Sequence, residues 1–232
     1  MDVLKDIKER LEFLKEMGVT TLPISMASAS GGAESATPLS VSADAPLCER
    51  VRECEKCALS SERINAVPGA GGAGRGIMFV SMMPAEEEDR DGVLFSGKGG
   101  ELLLLIITGA LKMTRDDVYV TNVVKCRGRG GRLPSGEEIK ECRPYLDEEI
   151  NAVRPKVIIT LGNEVVNSLL DRSEGVSGLR GKFYSYKGIK LTPIYHPMEL
   201  LEKPSLKREA HEDIKMVVSE INSRAGINEK GR

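Results

Sequence analysis

Two pairs of cysteines at unequal spacing constrain this chain more than any other feature. Cys54 and Cys57 form a Cys-x-x-Cys pair, 68 residues separate it from Cys126, and 15 more lie between Cys126 and Cys142. Thiolates that converge on one metal centre often come in pairs from short loops, leaving the chain between the pairs to build the core. The spacing predicts one buried tetra-thiolate site, either zinc or an iron–sulfur cluster, that clamps the two halves of the fold. The remaining cysteine, Cys48, reads as a spare thiol. With an odd cysteine count and a charged first segment (MDVLKDIKER) unlike a signal peptide, the thiols are expected to be reduced in the cytoplasm, which favours metal over disulfides.

At 232 residues and 41% hydrophobic composition, the chain can bury one substantial core. A net charge of −2 excludes a global basic field, and the longest apolar run, Leu102 to Ile107, is too short to span a membrane. Leu4, Ile7, Leu11 and Leu14 recur at three- and four-residue steps, so residues 1–21 are expected to carry an amphipathic helix over 2–17. Its stripe packs on its own domain or docks on a partner protein. The Ala, Ser, Gly and Pro composition of 22–46 (SMASASGGAESATPLS within it) predicts a flexible linker. Residues 47–222 are expected to form the globular domain, as a monomer, with a tail at 223–232.

Within that domain, apolar strand-like runs alternate with helical patterns. Strands are expected at Ile77–Ser81, Val118–Lys125, Val157–Leu161, Phe183–Tyr186 and Lys190–Tyr195, the last two around a Lys187-Gly188 turn. Helices are expected at Gly99–Leu111, from Ser135 to Val153 with a Ser135/Glu138 capping box, after an Asn163 cap, and at Ser205–Ser219. Alternation of this kind predicts an α/β fold with a mainly parallel sheet covered on both faces. Functional loops of such sheets gather at the carboxyl ends of the strands. Those ends carry Ser81-Met82-Met83-Pro84, Thr121-Asn122, Leu161-Gly162 and Tyr195-His196-Pro197.

Each of these residues also has a plainer reading. Asn122 could cap a turn, and His196-Pro197 could be a surface turn. His211, in KREAHEDIK, reads as a solvated surface residue, and Glu86-Glu87-Glu88-Asp89 as an ordinary helix or loop surface. The basic run Lys125, Arg127, Arg129 and Arg132, with Arg143 nearby, could be a solvated loop. Lying between Cys126 and Cys142, it is also the local positive patch that phosphate contacts require.

The cysteine array, the stretch from Pro84 through EEEDRDGVLFSGKGGELL, and the segments VYVTNVVKCR and IYHPMELL together resemble the iron–sulfur uracil-DNA glycosylases known as family 4. The resemblance runs from about Cys54 to Val217. It implies a three-layer α/β/α sandwich around a small parallel sheet, and hydrolysis of the bond between uracil and deoxyribose after the nucleotide is flipped out of DNA. It also implies that Cys54, Cys57, Cys126 and Cys142 hold a [4Fe–4S] cluster rather than zinc, in a structural role.

By the same resemblance, Phe95 stacks on the flipped uracil. The Asn122 amide reads the uracil edge, its carbonyl accepting from N3–H and its amine donating to O4. His196 donates to O2 and steadies the departing uracilate. Met82, Met83, Pro84 and Ala85 line the base pocket, Leu200 or Leu201 is the wedge that fills the duplex gap, and Arg127, Arg129 and Arg132 hold phosphates.

The first motif departs from the pattern. Family 4 has Gly-Glu-Ala-Pro-Gly there, with the Glu helping to position water and steady the cationic sugar. This chain has Ser81-Met82-Met83-Pro84-Ala85, and Met82 can neither accept a proton nor carry charge. A related branch, family 5, also has an apolar residue at that position and is active. Three readings follow: a uracil-DNA glycosylase with an altered first motif, a catalytically silent DNA-binding relative, and a zinc-bound interaction protein on the same fold.

Overall fold

A computed structural model describes residues 45–72 and 74–224. The expected helix over 2–17, most of the expected linker and the end of the tail lie outside the described residues. Ala45 and Pro46, assigned above to the linker, already belong to the first helix, α1 (Ala45–Arg52), which buries Leu47, Cys48 and Val51.

The sheet forms where the sequence is most continuously apolar. Strand β2 (Ile77–Ser81) reads IMFVS, and β3 (Val118–Asn122) and β4 (Val157–Leu161) are buried at every residue. Such unbroken runs suit strands covered on both faces. Burial of Phe79, with 0% of its surface exposed, is worth about 1.5–3 kcal/mol on its own. Two further strands, β5 (Tyr184–Tyr186) and β6 (Ile189–Ile194), flank the turn at Lys187-Gly188, and a short β1 (Ala70–Gly71) closes the other edge.

Strand order is β1-β3-β2-β4-β6-β5. The four central strands run parallel, while β1 and β5 pair antiparallel at the edges. From β2 the chain first steps to β3 on one side, then crosses back to β4 on the other. Right-handed crossovers in opposite directions place helices on both faces, giving the three layers, and open a crevice at the carboxyl ends where the order reverses. The expected α/β/α class is therefore what the chain adopts.

The helices are α2 (Glu86–Asp91), α3 (Gly97–Leu105), α4 (Gly136–Val153), α5 (Asn163–Leu170), α6 (Gly175–Leu179), α7 (Pro197–Glu202) and α8 (Lys207–Arg224). Helix α4 starts as expected: Ser135 Oγ accepts from the Glu138 N–H at 3.3 Å, and a Glu138 carboxylate oxygen accepts from the Ser135 N–H at 2.7 Å. Helix α3 is shorter than expected. It passes into a π turn over Ile106–Ala110, with the Leu111 N–H reaching Ile106 O at 3.1 Å.

The cap of α5 is also different. Gly162 occupies the cap at φ 95°, and Asn163 instead accepts from the Val176 N–H at 2.8 Å, tying α5 to α6. His211 is half-buried on α8 rather than on a fully solvated face.

Strand β3 ends at Asn122, three residues before the expected Lys125. Backbone pairing continues past it, because the Val123 and Val124 N–H groups donate to Ser81 O and Met82 O at 2.8 and 2.9 Å. Those bonds hold the segment after β2 against the segment after β3.

Candidate active site

A cavity of about 410 Å³ opens at the carboxyl ends of the strands. Met82, Met83, Pro84 and Ala85 line it from the end of β2, Phe95 from the loop before α3, Asn122 from β3 and His196 from the end of β6. Every residue assigned to the base pocket by sequence thus meets around one space. The parallel register sets this up, since Ser81 pairs with Asn122 and Leu161 with Ile194 at the same level of the sheet.

Asn122 is 2% exposed, and its Nδ2 has no hydrogen-bond partner within the protein among the described residues. A buried amide without a partner costs stability unless something it binds satisfies it. Its backbone is held from behind. Lys125 Nζ donates to Asn122 O at 2.7 Å, to Thr121 Oγ1 at 2.6 Å and to Glu149 Oε2 at 2.7 Å. Lys125 and Glu149 are each 1% exposed. The other Glu149 oxygen accepts from the Gly69 N–H at 3.0 Å. The buried charges are therefore paired and hydrogen-bonded, the condition for tolerating them.

Phe95 stands at φ 68°, a left-handed conformation that non-glycine residues rarely adopt. Glu88 maintains it. One carboxylate oxygen accepts from the Phe95 N–H at 2.9 Å and the other from the Ala85 N–H at 3.0 Å. Burial raises the Glu88 pKa, and those two backbone bonds oppose the rise. The Arg115 guanidinium lies 4.6 Å from the Phe95 ring centre, while the ring also lines the cavity. Gly100 makes this packing possible, because a Cβ there would fall 2.4 Å from the Phe95 backbone.

His196 caps α7, its Nδ1 accepting from the Met198 N–H at 3.2 Å. A neutral ring that accepts at Nδ1 carries its proton on Nε2, the tautomer assigned here from the hydrogen bond. Burial lowers the His196 pKa below 6.5, although Glu164, Glu199 and Glu202 pull the other way. The site therefore presents a neutral Nε2–H donor.

The four predicted ligand cysteines line a second cavity, together with Arg63, Lys125 and Tyr145. Cys54 follows α1, Cys57 precedes a short turn of 3₁₀ helix, Cys126 follows β3, and Cys142 sits in α4 two residues before Pro144. Two donors already point at sulfur: Arg63 Nη1 lies 3.0 Å from Cys126 Sγ, and the Lys125 N–H lies 3.4 Å from Cys142 Sγ. Burial pushes the Cys126 thiol up and the Cys142 thiol up to about 11, so without a metal these groups are neutral. Among the described residues, no three His, Cys, Asp or Glu side chains close on a point as the ligands of a single ion do. Four soft donors around one cavity, with N–H groups aimed at sulfur, have the chemistry that a thiolate-bound metal group needs.

Comparison with known proteins agrees with this layout. The family model of the uracil DNA glycosylase superfamily matches residues 68–215. The type-4 uracil-DNA glycosylase of Saccharolobus solfataricus is 39% identical over 186 residues, covering 77% of this chain and 86% of its own. That of Sulfurisphaera tokodaii is 40% identical over 177 residues, covering 73% and 80%. That of Pyrobaculum aerophilum is 38% identical over 178 residues, covering 73% and 90%.

The chain belongs to the uracil-DNA glycosylase superfamily.

Within this superfamily member, the basic residues divide by partner. Arg127 lines the cavity at the strand ends and its Nη1 donates to Pro84 O at 2.9 Å, bracing the first motif. Arg129 is exposed. Arg132 is clasped by Glu62 and Glu138, each at 2.7 Å. It ties the loop to α4, which the sequence reading had not separated from phosphate binding.

Leu200 requires a correction. It is 1% exposed, because that face of α7 packs into the core, and so it cannot reach a duplex. The exposed apolar side chains of α7 are Met198 at 37% and Leu201 at 39%. Sequence reasoning did not single out Glu149 or Arg63. Their roles depend on α4 and the 3₁₀ turn folding back on β3, and no local motif marks that.

Proposed function

We propose that this chain is a DNA repair glycosylase that hydrolyses the N-glycosidic bond of uracil in DNA, acting in the cytoplasm. The observation that carries the reading is the unpartnered Asn122 Nδ2, buried at the end of a cavity that also holds Phe95 and His196. Phe95 stacks on a flipped base, and the Asn122 amide donates to O4 while its carbonyl accepts from N3–H. Cytosine offers the opposite pattern at both atoms and is rejected, since a mismatched buried amide costs about 1–3 kcal/mol. The neutral His196 Nε2–H donates to O2, where negative charge gathers as the C1′–N1 bond breaks, and such a donor is worth about 3–4 kcal/mol in the transition state. Water adds to C1′, and the products are uracil and an abasic site.

Cys54, Cys57, Cys126 and Cys142 would hold a [4Fe–4S] cluster. When bound, it supplies structural cross-linking between α1, the loop after β3 and α4. Exposed Arg129, with the free edge of Arg127, contacts phosphate, and Leu201 with Met198 takes the wedge position. Contact of the segment 2–17 with a partner protein is part of this proposal.

A second reading, a silent relative that binds uracil-containing DNA, is favoured by one observation: Met82 lines the cavity and carries no charge. Incubating anaerobically purified protein with labelled oligonucleotides bearing uracil, hypoxanthine or xanthine separates the two. Base release supports the glycosylase, and tight binding without release supports the silent form.

A further inference from the structure

Breaking an N-glycosidic bond leaves positive charge on the sugar and requires a water whose proton has somewhere to go. Met82 and Met83 supply neither. Yet four carboxylates line the same cavity: Glu86, Glu87, Glu88 and Glu164. Their surroundings separate them.

Both oxygens of Glu88 are occupied by backbone N–H groups. Glu87 stands against the first residue of α3, its carboxyl carbon 2.6 Å from where a Cβ on Gly97 would be. Glu86, exposed as Glu164 also is, stands at the start of α2 on the first-motif side of the cavity. Glu164, in the first turn of α5, stands on the other wall beside His196. A Cβ on Gly162 would lie 3.5 Å from Glu164 Oε2 and 3.4 Å from His196 Cβ. The glycine thus keeps open a space that the carboxylate and the imidazole side chain both border. No described residue holds the Glu164 carboxylate by a hydrogen bond or ion pair. It is also the largest carboxylate influence on the His196 ring.

The chemistry of uracil says which wall matters. O2 and N1 are both attached to C2, so the residue that holds O2 stands next to the glycosidic bond. N3–H and O4, on the Asn122 side, face away from the sugar. A carboxylate beside His196 is therefore the one beside C1′.

We infer that Glu164 is a catalytic residue of this chain, its carboxylate facing the cationic sugar and accepting a proton from the attacking water. The water oxygen bonds to C1′ as the C1′–N1 bond breaks, and that bond's electron pair leaves on uracil, spread toward the O2 held by His196. The proton taken by Glu164 passes through solvent to the departing uracilate. No oxidant or further reactant is needed. This assignment rests on the glycosylase reading above.

The test uses the full chain, purified anaerobically, and its Glu164→Gln variant. Three quantities are measured on each: the single-turnover rate of uracil release, the Kd for a duplex carrying an uncleavable 2′-fluoro-deoxyuridine, and the Tm. The variant is expected to lose about 10²-fold or more in rate while Kd and Tm hold. A variant that keeps the wild-type rate overturns the assignment and leaves the glycosylase reading standing. A rate lost only in step with Kd or Tm overturns it too, since that marks a structural or binding role. A wild-type chain that releases no uracil overturns the glycosylase reading, and the assignment falls with it.

Discussion

Lys125 Nζ donates to the main-chain carbonyl of Asn122 at 2.7 Å, and the Lys125 N–H lies 3.4 Å from Cys142 Sγ. One residue therefore touches both the thiol cavity and the backbone of the residue that faces the base pocket. The link is rigid because Lys125 and Glu149 are almost fully enclosed and their polar atoms are spoken for by Thr121, Asn122 and Gly69. The end of β3 at Asn122 and the surroundings of Cys142 are, in this fold, tied through one residue.

Lys125→Met strips that pair of its cation and leaves a buried, unpaired Glu149. Urea unfolding should show a loss of about 3–5 kcal/mol. In Lys125→Met/Glu149→Leu most of the stability should return, because an apolar pair of similar volume tolerates burial. Uracil release should not return with it, since the Asn122 carbonyl still lacks its donor. A single variant as stable as wild type would contradict the role given to this pair.

His196 sets a pH limb. Burial holds its folded pKa below the ordinary 6.5, so the unfolded chain takes up this proton first as the pH falls. Its contribution to stability is full above 6.5 and is lost as pH falls through the depressed value. Uracil release should decline over that same acid window, because a proton on Nδ1 confronts the Met198 N–H. Proton NMR can follow the ring directly, with His211 the only other histidine. A His196 midpoint above 6.5 would refute the neutral-donor assignment.

Arg129 and Arg132 should part company in DNA binding. Arg129→Ala should weaken binding to any sequence and reduce the slope of log K against log salt by about 1. Arg132→Ala should mainly lower the Tm, because its guanidinium is held between Glu62 and Glu138. Equal effects of the two variants on the salt slope would show that Arg132 leaves its carboxylates for phosphate.

Serine at Cys54, Cys57, Cys126 or Cys142 should abolish the brown colour and the bound iron of anaerobically purified protein, and should lower its Tm. Cys48→Ser should retain the iron, since Cys48 is buried in the core and does not line the thiol cavity. Zinc in place of iron in the wild-type protein, with no visible absorption, would overturn the cluster assignment.

The central strands were legible because a buried parallel sheet writes itself as unbroken apolar runs, and Ile77–Ser81 and Val157–Leu161 appear as read. The pocket was legible for a related reason: functional residues at strand ends inherit their placement from the register. What escaped was whatever depends on side-chain direction. Leu200 and Leu201 are neighbours in sequence, but the packing of α7 buries one and exposes the other. Arg132 looked like its neighbours until the fold brought Glu62 to it, 70 residues away. Glu164 carried no motif at all, and only the closure of β4 against β6 sets it beside His196.

The most direct test of the account is uracil release by the intact wild-type chain and by Asn122→Ala, measured under single turnover on the same uracil-containing oligonucleotide. The account predicts release by the wild type, a loss of about 10²-fold or more in Asn122→Ala, and an unchanged Tm for the variant. Release that survives in Asn122→Ala, or a wild-type chain that binds the uracil duplex and leaves it intact, would contradict it.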